Sequence, residues 1–201
     1  MRRIDYRIEE MTMKRTLIHL AMILVALMLI ISCSNDPHDQ GKLPAPGSGK
    51  AAVVPVTQFA AYDLDGNLQQ SSQWVGKQPV VLNVWGTWCP PCRREIPDLV
   101  KLYKEYAPKG VEMIGLAVVR NEPPQSVRQF AQEHDMGWEM LLADQNIAMA
   151  FGIQAVPTTI FIDRNGNVIP VTDGNGKTVD RFTGMQSYEV FKAAFEKLLK
   201  S

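Results

Sequence analysis

Residues 79–99 read PVVLNVWGTWCPPCRREIPDL, the stretch that decides the fold of this chain. Its first residues are β-formers with almost no polarity, which predicts a central strand buried on both faces. From Pro91 onward, apolar residues recur at spacings of three and four, which predicts a helix. Cys89 and Cys92 lie at this strand-to-helix junction, so one sulfur is at the helix N-terminus and the other is one turn inside.

The spacing of these cysteines predicts thiol-disulfide exchange. The helix dipole and the free N-terminal amides stabilise a thiolate on Cys89, which is therefore the expected nucleophile. Cys92 can then resolve the mixed disulfide by attacking Cys89 from within the helix. A purely structural disulfide is the alternative, although a loop this short stabilises a fold little.

Strand and helix patterns alternate on both sides of the junction. Residues 158–163 (TTIFID) predict a strand, and Asn165-Gly166 predicts a tight turn with positive φ values that leads to a strand at 167–171. The same patterns predict strands at 111–119 and 138–142, helices at 125–134, 145–151 and 188–199, and a hairpin around Asp65-Gly66-Asn67. This alternation predicts an α/β fold with parallel strands.

The N-terminal segment predicts export. Residues 17–31 are almost purely apolar and follow Lys14 and Arg15, and they are short for a membrane span of about 20 residues. We interpret residues 1–33 as a signal peptide whose end resembles a bacterial lipobox, which makes Cys33 the expected lipid anchor; an uncleaved signal anchor is the alternative. Residues 34–52 are rich in Pro, Gly and Ser and predict a flexible tether before a folded domain at 53–201.

Charge and ligand counts argue against two classes of function. Residues 34–201 carry 16 Lys and Arg against 18 Asp and Glu, which gives no electrostatic basis for binding nucleic acid. A structural zinc site needs four ligands, whereas the predicted domain offers Cys89, Cys92 and His134, and His38 falls in the predicted tether. We therefore expect neither nucleic acid nor a bound metal.

Two segments carry a family resemblance: residues 80–99 (VVLNVWGTWCPPCRREIPDL) and residues 151–166 (FGIQAVPTTIFIDRNG). They resemble the membrane-tethered TlpA/ResA/CcmG branch of the thioredoxin family, in the redoxin superfamily. The resemblance implies a thioredoxin-like fold, with a central mixed β-sheet flanked by helices and an N-terminal β-hairpin extension. It also implies that Pro157 is a cis-proline facing the cysteines and that Val156 pairs with bound peptide; an ordinary trans-proline is the alternative.

Three further residues belong to the expected site. Glu95 lies one turn beyond Cys92 on the same helix face, where it is close enough to handle protons, and the resemblance implies that role. A solvated acid in the first turn is the alternative interpretation. Asn83 stands where cytosolic thioredoxins carry a buried acid. Trp88 is expected to shield one side of the site, and an ordinary core aromatic at a strand end is the alternative.

The resemblance implies a tethered oxidoreductase that needs no cofactor beyond the Cys89–Cys92 disulfide. The expected substrates are disulfide-containing exported proteins such as apocytochrome c, and the expected electron donor is a membrane protein of the DsbD or CcdA type. Copper handling is disfavoured because the related Sco proteins use CxxxC with a distal His. A peroxidase of the peroxiredoxin branch is disfavoured because Leu82 and Gly86 replace the Pro and Thr of PxxxTxxC. The direction of electron flow stays open, since it follows from the reduction potential.

Overall fold

The structure, a computed structural model, describes residues 56–143 and 145–201. The predicted signal peptide at 1–33, the lipid anchor Cys33 and the tether at 34–52 lie outside the described residues. The domain boundaries therefore remain predictions. Within the described residues, no helix is both long enough and apolar enough to cross a membrane.

Strands and helices alternate through the described residues. The strands are β1 (Ala60–Asp63), β2 (Leu68–Gln70), β3 (Val80–Trp85), β4 (Glu112–Val118), β5 (Glu139–Ala143), β6 (Thr158–Ile162), β7 (Val171–Thr172), β8 (Thr178–Val179) and β9 (Phe182–Thr183). The helices are α1 (Pro90–Tyr106), α2 (Pro124–Glu133), α3 (Gln145–Ala150) and α4 (Tyr188–Leu199). The predicted helices after the cysteine pair are therefore confirmed to within one residue at each end.

Seven strands form one mixed sheet in the order β2-β1-β5-β4-β3-β6-β9. Strand β3 lies inside it, parallel to β4 and antiparallel to β6, and all six of its residues are buried. The prediction of a strand buried on both faces is thus confirmed. The central mixed sheet flanked by helices is confirmed as well.

The register between β3 and β6 positions the site. Val84, next to the end of β3, pairs with Thr158, the first residue of β6. Because the two strands are antiparallel, the loop that enters β6 meets the chain that leaves β3 at the same edge of the sheet. Pro157, which is 65 positions beyond Cys92 along the chain, is consequently brought to the cysteine pair.

The sheet separates two apolar layers. Side chains such as Val81, Trp85 and Phe161 point to the layer that contains α1, α2 and α4. Val80, Leu82 and Ile160 point to the opposite layer, with Ala148 of α3 and the N-terminal Val56. Residues of β3 alternate between the layers, as the two-residue period of a strand requires. Asn83 therefore faces α1.

The N-terminal hairpin is confirmed, and the structure adds its position. Strands β1 and β2 pair antiparallel, and Tyr62 of β1 also pairs with Leu142 of β5. The hairpin thus extends the main sheet past β5. Strand periodicity within residues 60–70 contains no information about this partner, because the partner lies some 80 residues further along the chain.

The predicted strand at 167–171 is wrong. After the turn, only a single bridge joins Val168 to Ile162, and Ile169 donates one backbone hydrogen bond to Phe161. Pro170 has no N–H to continue the ladder. The chain turns away and forms the separate two-stranded sheet β7–β8, and β9, which the sequence did not predict, then pairs with β6.

The turn at Asn165-Gly166 also differs from the prediction. Gly166 has φ 85°, but Asn165 does not have a positive φ, so the two-residue turn with positive φ at both positions does not form. The carboxylate of Asp163 instead accepts hydrogen bonds from the backbone amides of Asn165 and Asn167, at 2.9 and 2.8 Å. The loop is longer than the predicted two-residue turn, and the side chain of Asp163 takes the place of a backbone acceptor in it.

Candidate active site

The cysteine pair caps helix α1. Cys89 has an extended backbone, and its sulfur accepts a hydrogen bond from the backbone N–H of Cys92 at 3.2 Å. Pro90 fills the first helical position, where its missing N–H costs nothing. Cys89 and Cys92 form a disulfide with a Cα–Cα distance of 5.3 Å. The predicted arrangement of both sulfurs at one helix terminus is confirmed.

A backbone edge faces the sulfur of Cys89. The Val156–Pro157 bond is cis, as the resemblance implied, and the carbonyl oxygen of Val156 lies 3.6 Å from Cys89 Sγ. The carbonyl of Pro157 accepts a hydrogen bond from Gly184 N at 2.8 Å, which fixes this loop against β9. Val156 is half-buried, and Cys89 is 2% exposed.

Glu95 is buried beneath the pair. Its side chain is only 2% exposed, so the alternative of a solvated first-turn acid is wrong. Asn83 Nδ2 donates to Glu95 Oε1 at 3.2 Å and to Thr159 Oγ1 at 3.0 Å. Thr159 was missed by sequence reasoning because its partner lies on another strand. The period of β6, which alternates faces, is the signal that could have placed it towards α1.

Burial raises the pKa of Glu95 from 4.5 to about 8. The hydrogen bond from Asn83 and the nearby backbone amide of Gln186 oppose this increase but do not overcome it. Within the described part of the chain, Oε2 has no hydrogen-bond partner of good geometry. The carboxyl therefore retains its proton at neutral pH, and its pKa is close to that of an ordinary thiol.

Trp88 is fixed by the chain that leaves β4. Its Nε1 donates to the carbonyl of Val118 at 2.9 Å, and the guanidinium of Arg120 lies 3.5 Å from the ring centroid. The neighbouring Thr87 donates a short hydrogen bond to Glu122. Arg120 and Glu122 were not predicted as part of the site, since no local pattern links residues 118–122 to the cysteine pair.

Metal ligands do not cluster in the part of the chain that the structure describes, where no group of three or more His, Cys, Asp or Glu could hold an ion. His134, the one histidine of the predicted domain, packs its ring against Phe130 with centroids 4.1 Å apart.

Comparison with known proteins agrees with this geometry. Residues 48–185, more than half of the chain, match the family described as Redoxin. The chain belongs to the redoxin family. It is 40% identical over 128 residues to the thiol-disulfide oxidoreductase ResA of Halalkalibacterium halodurans, covering 63% of this chain and 69% of that relative. It is 38% identical over 117 residues to ResA of Geobacillus thermodenitrificans, covering 58% of this chain and 66% of the relative.

A solved structure gives the same result for the fold. The thiol:disulfide interchange protein of the thioredoxin family from Chlorobium tepidum superposes with a TM-score of 0.58 at 29% identity. That superposition covers 75% of this chain and 99% of the other. This redoxin is accordingly a thiol-disulfide oxidoreductase with a thioredoxin-like fold.

Proposed function

We propose that this redoxin works outside the cytoplasm as a protein-disulfide reductase, with Cys89 as nucleophile, Cys92 as resolving thiol and Glu95 as proton carrier. One observation carries the proposal. Cys89 Sγ lies between the amide-rich N-terminus of α1 and the Val156 carbonyl edge, so an incoming peptide can dock where the attacking sulfur is activated.

The reaction begins with the reduced dithiol. The thiolate of Cys89 attacks one sulfur of the substrate disulfide, which breaks that bond and releases the second substrate sulfur as a thiolate. A mixed disulfide now joins Cys89 to the substrate. Cys92 attacks Cys89, forms the intramolecular disulfide and releases the first substrate sulfur. Two electrons and two protons pass from the enzyme to the substrate, and no other cofactor is required.

Glu95 would move a proton in the second step. Cys92 must lose its proton to attack, and the ionised fraction of Glu95, which grows as the pH approaches 8, can accept it from one turn further along α1 on the same face. A carboxyl with a pKa of about 8 lies close to the ordinary pKa of a cysteine thiol, which favours reversible proton transfer between two such groups. Because the carboxyl of Glu95 is buried from water, it would exchange its proton with the cysteine and not with solvent. Asn83 orients the carboxyl through its hydrogen bond to Oε1.

Export and membrane attachment are supported by the sequence. The apolar run at 17–31 and the lipobox-like Cys33 favour a lipid-anchored domain on the outer face of a membrane. The substrates would then be exported proteins with disulfides, apocytochrome c among them, and a membrane protein of the DsbD or CcdA type would return electrons to Cys89 and Cys92. Replacing Cys33 by Ser should release the protein from the membrane fraction; retention there would contradict the lipid anchor.

The direction of electron flow is tested by the reduction potential and by trapping. In the Cys92→Ala variant, Cys89 should accumulate mixed disulfides with its substrates, because the resolving thiol is absent. Cys89→Ala is the matched control and should trap none. A potential below that of the compartment supports the reductant. A potential well above it would identify an oxidant, and an absence of trapped proteins would overturn the function.

A further inference from the structure

We propose that Arg93, Arg94 and Arg120 form a cationic rim around Cys89, which selects disulfide substrates whose cysteine is flanked by aspartate or glutamate. This inference rests on the proposed function and names the substrate class of the same site. The cationic rim consists of these three arginines.

The topology of the sheet brings the three arginines to the edge at which Cys89 lies. Arg93 and Arg94 directly follow Cys92 in α1, and both side chains are exposed. Arg120 follows β4, whose Ala117 pairs with Trp85 at the end of β3, so the segments that leave these parallel strands meet at one edge. The Arg120 guanidinium rests on Trp88, the residue that precedes Cys89. Arg120 therefore lies against the residue before the nucleophile, and Arg93 and Arg94 lie just beyond Cys92 on the helix that Cys89 caps.

These charges are not neutralised. Other basic side chains pair with carboxylates, as Lys101 does with Asp98 and Arg128 with Asp65. No rim arginine forms a salt bridge with any residue that the structure describes. Arg120 lies on the Trp88 ring and Arg93 lies 5.4 Å from the Phe130 centroid. An aromatic ring positions a guanidinium while leaving its charge and several N–H donors available.

The carboxyls near the site do not cancel the rim. Glu95 is buried and protonated at neutral pH, and Glu122, which accepts a hydrogen bond from Thr87, is one carboxylate against three arginines. The net charge around Cys89 is therefore positive. Many carboxylates lie elsewhere: Asp63, Asp65, Glu112 and Glu139 line a cavity of about 880 Å³ beside the N-terminal hairpin, and neither cysteine lines it.

A peptide extended along the Val156 edge would present its flanking residues to these arginines. Successive residues of an extended chain are about 3.3 Å apart, so positions within two of the substrate cysteine lie within about 7 Å of it, which is less than a Debye length of about 8 Å. Bidentate pairing between guanidinium and carboxylate adds orientation to attraction. An acidic flank is thus the complementary chemistry.

The test uses the full-length protein, reduced with dithiothreitol and then freed of it. Three synthetic peptides carry one cysteine in a mixed disulfide with the same aromatic thiol, whose release is followed by absorbance. The residues on each side of the cysteine are Glu in one peptide, Gln in the second and Lys in the third. At low salt the Glu peptide should be reduced about tenfold faster than the Lys peptide, the lower end of electrostatic steering. The ratio should approach one at 0.5 M salt.

Variants then separate docking from thiol activation. Replacing all three rim residues, as Arg93→Gln, Arg94→Gln and Arg120→Gln together, should bring the Glu-to-Lys ratio close to one. A general loss of thiolate would slow all three peptides equally and leave the ratio unchanged. Arg164→Gln is the matched control, because this exposed arginine follows β6 at the opposite end of the sheet, beyond the Val80–Ile162 pair. The Arg164→Gln variant should keep the Glu-to-Lys rate ratio of the wild-type protein.

Each outcome decides one proposal. Equal rates for the three peptides with the wild-type protein would overturn the cationic rim and leave the reductase intact. A ratio that survives the triple replacement would also overturn it. Failure to reduce any of the peptides would contradict the proposed function instead. A salt-sensitive ratio that disappears only in the triple variant supports the selection of acidic flanks.

Discussion

At the scale of single residues, the site depends on the environment of Glu95. A carboxyl removed from water is held neutral unless partners compensate its charge, and the hydrogen bond from Asn83 with the backbone amide of Gln186 is too little compensation. Asn83 orients the carboxyl of Glu95 and, because it is an amide, does not add a second acid to the site. Asn83 and Glu95 therefore provide one buried proton close to the cysteines, and burial sets the pKa of the carboxyl that carries it.

Replacing Glu95 by Gln should remove this proton carrier and keep the hydrogen bond from Asn83. We expect disulfide reduction at pH 7 to fall by about 10²-fold, a common contribution of a general acid or base. The inflection near pH 8 should disappear from the pH–rate profile, which stopped-flow assays of substrate reduction would show. Asp98→Asn on the same helix is the control. An unchanged profile in Glu95→Gln would exclude the role.

At the scale of elements, one loop design recurs three times. Asp63, Asp163 and Asp173 each accept backbone hydrogen bonds from residues two and four positions later, and each loop has a glycine with positive φ three positions after the aspartate. These bonds lower the pKa of Asp63 to about 2 and lower that of Asp163. The aspartate side chain thus ends one strand and directs the chain back.

Replacing Asp163 by Ala should destabilise the loop that leaves β6. Two backbone amides lose a charged acceptor, which should cost about 1–2 kcal/mol in the free energy of unfolding after allowance for solvent near the loop. Asp163→Asn is the matched control, since it keeps an acceptor oxygen and should lose less than half as much. Urea unfolding of both variants measures the difference. Equal losses would show that charge, and not the acceptor, stabilises the loop.

Gly115 permits close packing in the middle of β4. A Cβ there would lie 2.6 Å from Met140 Sδ, 2.9 Å from Trp138 Nε1 and 3.1 Å from Trp85 Nε1. Gly115→Ala should therefore lower the free energy of unfolding by about 1–3 kcal/mol, the usual cost of overpacking. In the control Gly137→Ala, the new methyl group would meet only Tyr103 Cε1 at 3.8 Å and should change stability little. Thermal unfolding that ranks the two variants equally would contradict this packing.

At the scale of the whole molecule, titrating groups act on stability in opposite directions. Asp63 has a pKa lowered to about 2 in the folded state, so its contribution is present above about pH 4 and is lost as the pH falls towards 2. Glu95 has a pKa raised from 4.5 to about 8. Its contribution is complete below pH 4.5 and is lost as the pH rises to 8, because the unfolded chain releases that proton first.

The oxidised protein should therefore become less stable between about pH 5 and pH 8. The slope contributed by Glu95 approaches about 1.4 kcal/mol per pH unit in the free energy of unfolding. In Glu95→Gln this slope should disappear, whereas in Glu105→Gln, an exposed control on α1, it should remain. Urea unfolding at pH 5, 6, 7 and 8 measures the slopes. Parallel profiles for wild type and Glu95→Gln would contradict the buried proton.

Local patterns in the sequence determined the strand β3, the helix α1 and the cysteine pair between them, because the period of apolar residues and the proline at the helix start act over a few positions. Only the tertiary structure decided the surroundings of the pair. Thr159 meets Asn83 across 76 positions and Val118 meets Trp88 across 30, through strand pairing that no local period encodes. The burial of Glu95 and the place of Arg120 follow from that pairing, since both depend on which strands become neighbours.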